Sequence, residues 1–177
     1  MAELQNLMHQ LITGGFETTT NALAHGMWLL TRRPDVQARV RSDRSLLPAF
    51  IEEVLRYESP VQGLARRTTR EVLLAGVTVP ADTMVFVRYG AANRDPSTFT
   101  DPGEFDLDRA ENPHIAFGLG AHFCVGAALA RQELTSGFNA WLDRTANIEL
   151  ARPFDGPVHE PSIFLLPMVE LPIRFTR

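Results

Sequence analysis

Residues 117–126 read FGLGAHFCVG and hold Cys124, the single cysteine of this 177-residue chain. Gly118, Gly120 and Gly126 permit positive φ angles and a close approach of a flat ligand to the backbone. The residues that follow, AALARQEL, predict a helix whose unpaired amide groups favour an ionised sulfur. A lone cysteine excludes an intramolecular disulfide, a zinc knuckle and an iron-sulfur cluster. An anionic sulfur in a glycine-rich turn has the properties that a haem-thiolate iron requires of its axial ligand.

Cys124 taken alone has a second interpretation, because a free cysteine is commonly a small buried hydrophobic residue. The surrounding residues favour the first interpretation. FGLGAHFCVG resembles the haem-binding signature of the cytochrome P450 family, in which a phenylalanine, two glycines, a polar residue, the cysteine and a final glycine have this spacing. The resemblance implies that Cys124 is the axial ligand of the iron in haem b, and that Phe117, Gly118 and Gly126 contact the cofactor.

The composition indicates one globular domain with a hydrophobic core, since 45% of the residues are hydrophobic and 21% are charged. Seventeen basic and 21 acidic residues give a net charge of −4, which offers no attraction for a nucleic acid. No apolar run approaches the roughly 18 residues of a membrane span, and the N-terminus lacks the pattern of a secretory signal. We therefore expect a soluble, cytoplasmic protein without a nucleic-acid or membrane partner.

The hydrophobic periodicity predicts a chain that is mainly α with small antiparallel β sheets (α+β). Helical spacing over residues 4–12 resumes over 22–30, and GGFETTT between them is either a loop or the weakened middle of one long helix. Proline and aspartate predict an irregular segment over 93–112. Two or three strands are predicted between residues 72 and 89. The remaining helices are predicted at 34–44, 47–57 and 127–141, and short closing strands at 148–150, 163–166 and 170–175.

The segment GGFET, residues 14–18, resembles the family's oxygen-activation segment. The resemblance implies that Gly15 leaves space beside the iron, while Glu17 and Thr18 are catalytic residues that relay protons to bound oxygen. Proton delivery into a dry pocket requires such a positioned acid and alcohol. As an isolated motif, the same residues fit a helix break with a capping glutamate.

Glu53 and Arg56 lie three residues apart on a predicted helix and can form a pair on one face. In isolation, a solvated pair of this kind contributes only about 0.2 to 0.5 kcal/mol. The sequence IEEVLRYESPV resembles the family helix with a Glu-x-x-Arg pair, and Arg109 stands where the family has a third member of that network. The resemblance implies structural roles for these three residues.

Two further positions match family residues that contact the haem propionates. They are Arg66 and His122, with Arg67 as a possible substitute for Arg66. A planar guanidinium suits a carboxylate. His122 is a weaker candidate for an iron ligand, because it shares one loop face with Cys124.

The distal pocket of the family is lined by segments that correspond to residues 61–65 and 163–166. The candidate positions are Val61, Gln62, Leu64, Ile163 and Phe164. These are apolar apart from Gln62 and favour a lipophilic substrate, although an apolar stripe is more often ordinary core. Arg131 is a candidate contact for an acidic electron donor, or belongs to an ordinary solvated helix face.

The resemblance implies a monooxygenase that inserts one oxygen atom of O2 into a small organic substrate. Electrons would come from NAD(P)H indirectly, through a ferredoxin or flavodoxin. A whole family member is more than twice as long, so residues 1–177 are expected to be a single partial domain, the C-terminal haem-binding half. We expect such a fragment to hold haem weakly, because much of an apolar cofactor would face water.

Two alternatives to the monooxygenase remain open. One is a non-catalytic haem-binding module or an inactive truncated product. Glu17 and Thr18 argue against a non-catalytic module, since such a role needs no proton relay. The other is a hydrolase with Cys124 as nucleophile and His122 or His114 as base, which lacks a clear orienting acid.

Overall fold

The computed structural model describes residues 1–153 and 156–177, and in this part the protein is mainly helical. The helices are α1 (Ala2–Arg32), α2 (Pro34–Ser42), α3 (Leu47–Tyr57), the short α4 (Tyr89–Ala92) and α5 (Ala127–Arg144). Single 3-10 turns occur at Arg44–Leu46 and Gly120–His122. The predicted fold class, mainly α with small antiparallel sheets, is confirmed.

The strands form small two-stranded antiparallel sheets. β1 (Leu64–Arg67) pairs with β4 (Met84–Val87), and β2 (Val72–Leu74) pairs with β3 (Val77–Val79). β5 (Asn147–Leu150) pairs with β6 (Ile173–Thr176) near the C-terminus. The β2–β3 turn contains Ala75 and Gly76, both at positive φ, as a tight hairpin with matching twist requires. Residues 163–166 contribute only an isolated bridge between Leu165 and Val61, so the strand predicted there is wrong.

The segment GGFETTT lies within the unbroken helix α1, so the loop interpretation is wrong and the long helix is observed. Thr18 and Thr20 donate their hydroxyl hydrogens to the carbonyl oxygens of Gly14 and Phe16, at 2.7 and 2.8 Å. Such bonds let threonine satisfy its hydroxyl without leaving the helix. Beyond Thr18 the helix enters the core, and this packing offsets the poor local propensity.

The core lies between the C-terminal half of α1, the helices α2, α3 and α5, and β5. Its fully buried apolar side chains include Leu30, Val40, Phe50, Leu134, Phe138 and Ile148. The ring of Phe138 packs edge-on against Phe50, with centroids 5.2 Å apart. Gly26 of α1 faces the same ring so closely that a Cβ atom would collide with it. This contact fixes how α1 crosses α5.

The N-terminal half of α1 presents a row of apolar side chains to solvent. Each is more than half exposed: Leu4, Leu7, Met8, Leu11, Ile12 and Phe16. Burial of such a row is ordinarily favourable, at about 25 cal/mol per Å². None of the helices in the described residues is long and apolar enough to cross a membrane. The described residues leave this apolar row uncovered.

Candidate active site

Cys124 lies in the turn between the second 3-10 segment and α5, and its thiol is exposed. The turn is closed by a hydrogen bond of 2.9 Å from the Cys124 amide to the carbonyl of Phe117. Gly118 and Gly120 adopt positive φ angles of 75° and 73°. Gly126 has a φ of −87°, so its conformation does not require glycine. The turn thus holds the sulfur just before the amino end of a long helix, where backbone amides favour negative charge.

The surface beside the thiol is apolar and exposed. Val125 is 98% exposed, Leu119 is 79% exposed and Phe123 is 51% exposed. The ring of Phe117 lies behind them, with its centroid 6.3 Å from that of Phe123. A flat apolar ligand placed on the sulfur would remove these side chains from water.

Tyr89 connects the cysteine turn to Arg66, one of the two proposed propionate-binding residues. The Tyr89 hydroxyl accepts a hydrogen bond of 3.4 Å from the Arg66 guanidinium. The same hydroxyl would lie 3.7 Å from a Cβ atom added to Gly118. Sequence reasoning missed Tyr89, since nothing in the sequence YGAAN marks it out. Arg67 is turned away, because its guanidinium is paired with Asp82 at 2.8 Å.

His122 lies in the 3-10 turn two residues before the cysteine and is exposed. His114, the other histidine considered for a hydrolase, is occupied elsewhere. Its Nε2 lies 3.0 Å from a carboxylate oxygen of Glu52, and its Nδ1 accepts the amide hydrogen of Ala116 at 3.2 Å. With both ring nitrogens engaged, His114 has none left to accept a proton from Cys124, and the hydrolase loses one of its two candidate bases.

Glu53, Arg56 and Arg109 meet in one buried network. Arg56 donates to both carboxylate oxygens of Glu53, at 2.8 and 2.6 Å, and Arg109 Nε donates to the same group at 3.1 Å. Arg56 also donates to three backbone carbonyls of the irregular segment, those of Asn93, Pro102 and Glu104. The network ties α3 to the segment that leads to the cysteine turn.

Glu17 and Gly15 are exposed on α1, and Thr18 is half-buried. A Cβ atom on Gly15 would meet nothing within 4 Å, so packing among the described residues does not require glycine there. The Thr18 hydroxyl donates its hydrogen to Gly14, which leaves its oxygen able to accept another hydrogen bond.

The candidate substrate-pocket segments lie next to each other. The amide of Gln62 donates to the carbonyl of Phe164 at 2.7 Å, and Val61 forms its bridge with Leu165. The ring of Phe164 lies 5.5 Å from that of Phe86 in β4. Leu64 and Ile163 are exposed, at 39% and 61%. Two segments about 100 residues apart in the sequence thus form one partly apolar surface.

A family model for cytochrome P450 matches residues 1–144. The chain belongs to the cytochrome P450 family. It is 50% identical over 148 residues to cytochrome P450 144 of Mycobacterium tuberculosis, covering 83% of this chain and 34% of that protein. It is 40% identical over 176 residues to the cytochrome P450 monooxygenase PikC of Streptomyces venezuelae, covering 99% of this chain and 42% of that protein.

Solved P450 structures share the fold. CYP109E1 from Bacillus megaterium in complex with corticosterone aligns with a TM-score of 0.93 and 38% identity, covering 98% of this chain and 46% of that chain. This P450 chain spans roughly two fifths of the length of the relatives it matches, between 34% and 46% in these three alignments.

P450 membership implies a haem, and the residues around Cys124 fit one. The donor is a single exposed thiol of the type that ligates haem iron. Leu119 and Val125 offer apolar contact beside it. Arg66 offers a guanidinium to a carboxylate, with Tyr89 holding it near the turn.

Proposed function

We propose that this P450 chain is the haem-binding part of a monooxygenase that inserts one oxygen atom of O2 into a small, lipophilic organic substrate. The observation that carries the proposal is the exposed thiol of Cys124 in a turn with two positive-φ glycines, at the amino end of α5. A structural cysteine would be buried and inert. A ligand for iron must instead be reachable.

Residues in the turn and next to it have different tasks in this proposal. Cys124 ligates the iron, while Phe117, Gly118 and Gly126 form the wall against the cofactor. Arg66 and His122 bind its propionates, and Tyr89 holds the Arg66 guanidinium in place. When bound, haem b supplies O2 binding and the electron-transfer chemistry, and the thiolate favours O–O cleavage.

Proton delivery is assigned to α1. The Thr18 oxygen is held in place by its bond to Gly14, at 2.7 Å, and can accept and pass on a proton. Glu17 is exposed and can exchange protons with solvent. Gly15 leaves open space at this level of the helix, which supports a role in admitting a small ligand rather than in packing.

The substrate is proposed to contact Val61, Gln62, Leu64, Ile163 and Phe164. Their adjacency and apolar character support a lipophilic molecule. CYP109E1, a structural neighbour, was solved in complex with corticosterone, and this supports the proposal of a lipophilic substrate.

Electrons are proposed to come from NAD(P)H through a ferredoxin or flavodoxin, in the cytoplasm. We also propose that residues 1–177 act as the C-terminal haem-binding portion of a longer polypeptide. The exposed apolar row on α1 supports this, since a covering surface would bury it.

The Thr18→Ala variant tests the assignment of α1. Thr20 is the matched control, because its hydroxyl makes the same type of bond, to Phe16, from an exposed position. In the haem-loaded enzyme supplied with a redox partner, Thr18→Ala is expected to consume electrons without matching product. Thr20→Ala is expected to keep the parental ratio of product to electrons. Equal ratios in both variants would remove Thr18 from the proton path.

A further inference from the structure

Glu52 and Glu53 are adjacent carboxylates on α3 that serve two different networks. Glu53 binds Arg56 and Arg109 in the interior. Glu52 is turned towards α5 and the segment before the cysteine turn, where it accepts hydrogen bonds from Arg131 at 2.6 and 2.8 Å. Its second carboxylate oxygen lies 3.0 Å from His114 Nε2.

The hydrogen bonds of His114 fix its tautomer. The amide of Ala116 can only donate, so Nδ1 is an acceptor and Nε2 carries the hydrogen that points at Glu52. The His114 side chain is only 3% exposed. Burial acts to raise the pKa of Glu52, but the bonds from Arg131 and His114 outweigh it and lower the pKa to about 2. Glu52 is therefore an ionised acceptor with donors on two separate segments.

Arg131 extends the contact to the cysteine turn. Its guanidinium carbon lies 4.5 Å from the centroid of the Phe117 ring, a cation–π arrangement. Hydrogen bonds to Glu52 raise the pKa of Arg131 against the opposing effect of burial, and the negative charge of Glu52 raises it further. Phe117 in turn accepts the Cys124 amide hydrogen at 2.9 Å. Glu52 thus contacts one residue that precedes Cys124 in the sequence, His114, and one that follows it, Arg131.

We propose that Glu52 is a positioning residue for the Cys124 turn, which clamps the segment of His114 to α5 and holds the Arg131 cation against Phe117. This rests on the proposed function, since the turn must carry the iron ligand. Glu52 does not touch the sulfur. It fixes where the turn lies, and its pairing with Arg131 limits how much positive charge acts on the thiolate.

Two variants test the clamp from opposite ends. Glu52→Gln keeps the size of the side chain but removes its charge, and Arg131→Lys keeps a cation but loses the bidentate contact and the flat stacking surface. The matched control is Glu149→Gln, which makes the same chemical change in an exposed pair with Arg174 on β5 and β6. Circular dichroism confirms that each variant is folded before haem is added.

The readouts are the rate of haem transfer to apomyoglobin, the reduction potential and the reduced carbon monoxide spectrum. Both Glu52→Gln and Arg131→Lys are expected to lose haem about tenfold faster than the parent. Mutation of residues that support a metal ligand commonly weakens metal binding by at least this factor. Glu52→Gln is also expected to shift the reduction potential to more positive values, since it removes a negative charge from the contacts that hold the Cys124 turn.

The outcomes separate this proposal from the proposed function. If the parent protein shows no thiolate-type spectrum with haem, both proposals fail. If the parent shows it, and Glu52→Gln retains haem and potential as Glu149→Gln does, only the clamp is wrong. A loss of thermal stability in Glu52→Gln with unchanged haem transfer and potential would likewise overturn it, since that is the signature of a purely structural pair.

Discussion

The guanidinium of Arg56 and the carboxylate of Glu53 form a two-bond contact in which neither side chain is more than 1% exposed. Arg56 is held further by backbone carbonyls from the segment between Asn93 and Glu104. We predict that Arg56→Met destabilises the protein by about 3 kcal/mol or more, because it leaves a buried carboxylate with fewer partners. Denaturant unfolding monitored by circular dichroism measures this loss.

The matched control for Arg56→Met is Arg39→Met. Arg39 also joins a helix to the irregular segment, through two bonds to Asp108, but both side chains are well exposed. Solvent screens such a pair, so we expect little change in stability. Similar losses for the two variants would mean that the buried network has no special role in the fold.

Gly26 is predicted to be the α1 glycine that packing requires. Gly26→Ala would place a methyl group against the buried ring of Phe138 and is expected to cost about 1 to 3 kcal/mol. Gly14→Ala is the control in the same helix, because its Cβ would be in ordinary contact, 3.5 Å from Gln10. It is expected to stabilise α1 by about 0.5 to 1 kcal/mol. If thermal unfolding ranks the two variants in the reverse order, the close contact between Gly26 and Phe138 does not require glycine.

Gly15→Ala separates stability from function. Apart from the two chain neighbours and the backbone of the helix itself, no described atom lies within 4 Å of the added Cβ, so the helix is expected to gain about 0.5 to 1 kcal/mol. In the haem-loaded, reduced protein, the same methyl group is expected to slow the binding of carbon monoxide, because it fills space proposed for a small ligand. A stabilised variant with the parental rate of carbon monoxide binding, measured by flash photolysis, would remove Gly15 from the ligand site.

The buried side chain of His25 is expected to make the free energy of unfolding depend on pH. It is fully buried, and burial lowers its pKa from 6.5 to about 4, although a hydrogen bond to the carbonyl of Glu58 partly opposes this. The unfolded chain therefore binds a proton that the folded protein excludes. Stability contributed by neutral His25 is complete above pH 6.5 and is lost as the pH falls towards 4, by up to about 3 kcal/mol.

The His25→Phe variant checks this origin. Phenylalanine does not titrate, so the variant is expected to lose less stability than the parent between pH 6.5 and 4. Burial raises the pKa of Glu58, which acts in the opposite sense, but its effect is shared by both proteins and cancels in their difference. Parallel stability curves for parent and variant over this range would assign the pH dependence to other groups.

Local patterns were sufficient to predict α3 with its observed bounds, the start of α5 and the approximate positions of most strands. They could not decide the middle of α1. There, poor propensity is outweighed by threonine hydroxyl bonds and by the packing of residues further along, such as Gly26 against Phe138. β1 was missed because its sequence LARR has no apolar alternation and gains its partner, β4, only in the fold.

The site shows the same division between local and distant contacts. The cysteine turn and the Glu-x-x-Arg pair are short motifs, so the sequence alone is sufficient to recognise them. Glu52 stands next to Glu53 and cannot be distinguished from it by pattern, because its partners lie 62 and 79 positions away. Tyr89 was missed for the same reason, since Arg66 reaches it across 23 positions.

The assignment of Cys124 as the axial ligand of a haem iron is tested by the reduced carbon monoxide difference spectrum. It is measured on haem-loaded parent protein and on Cys124→Ser, with folding checked by circular dichroism. We predict the red-shifted Soret band of thiolate-ligated haem in the parent and its absence in Cys124→Ser. A parent without this band, or a serine variant that retains it, would contradict the assignment.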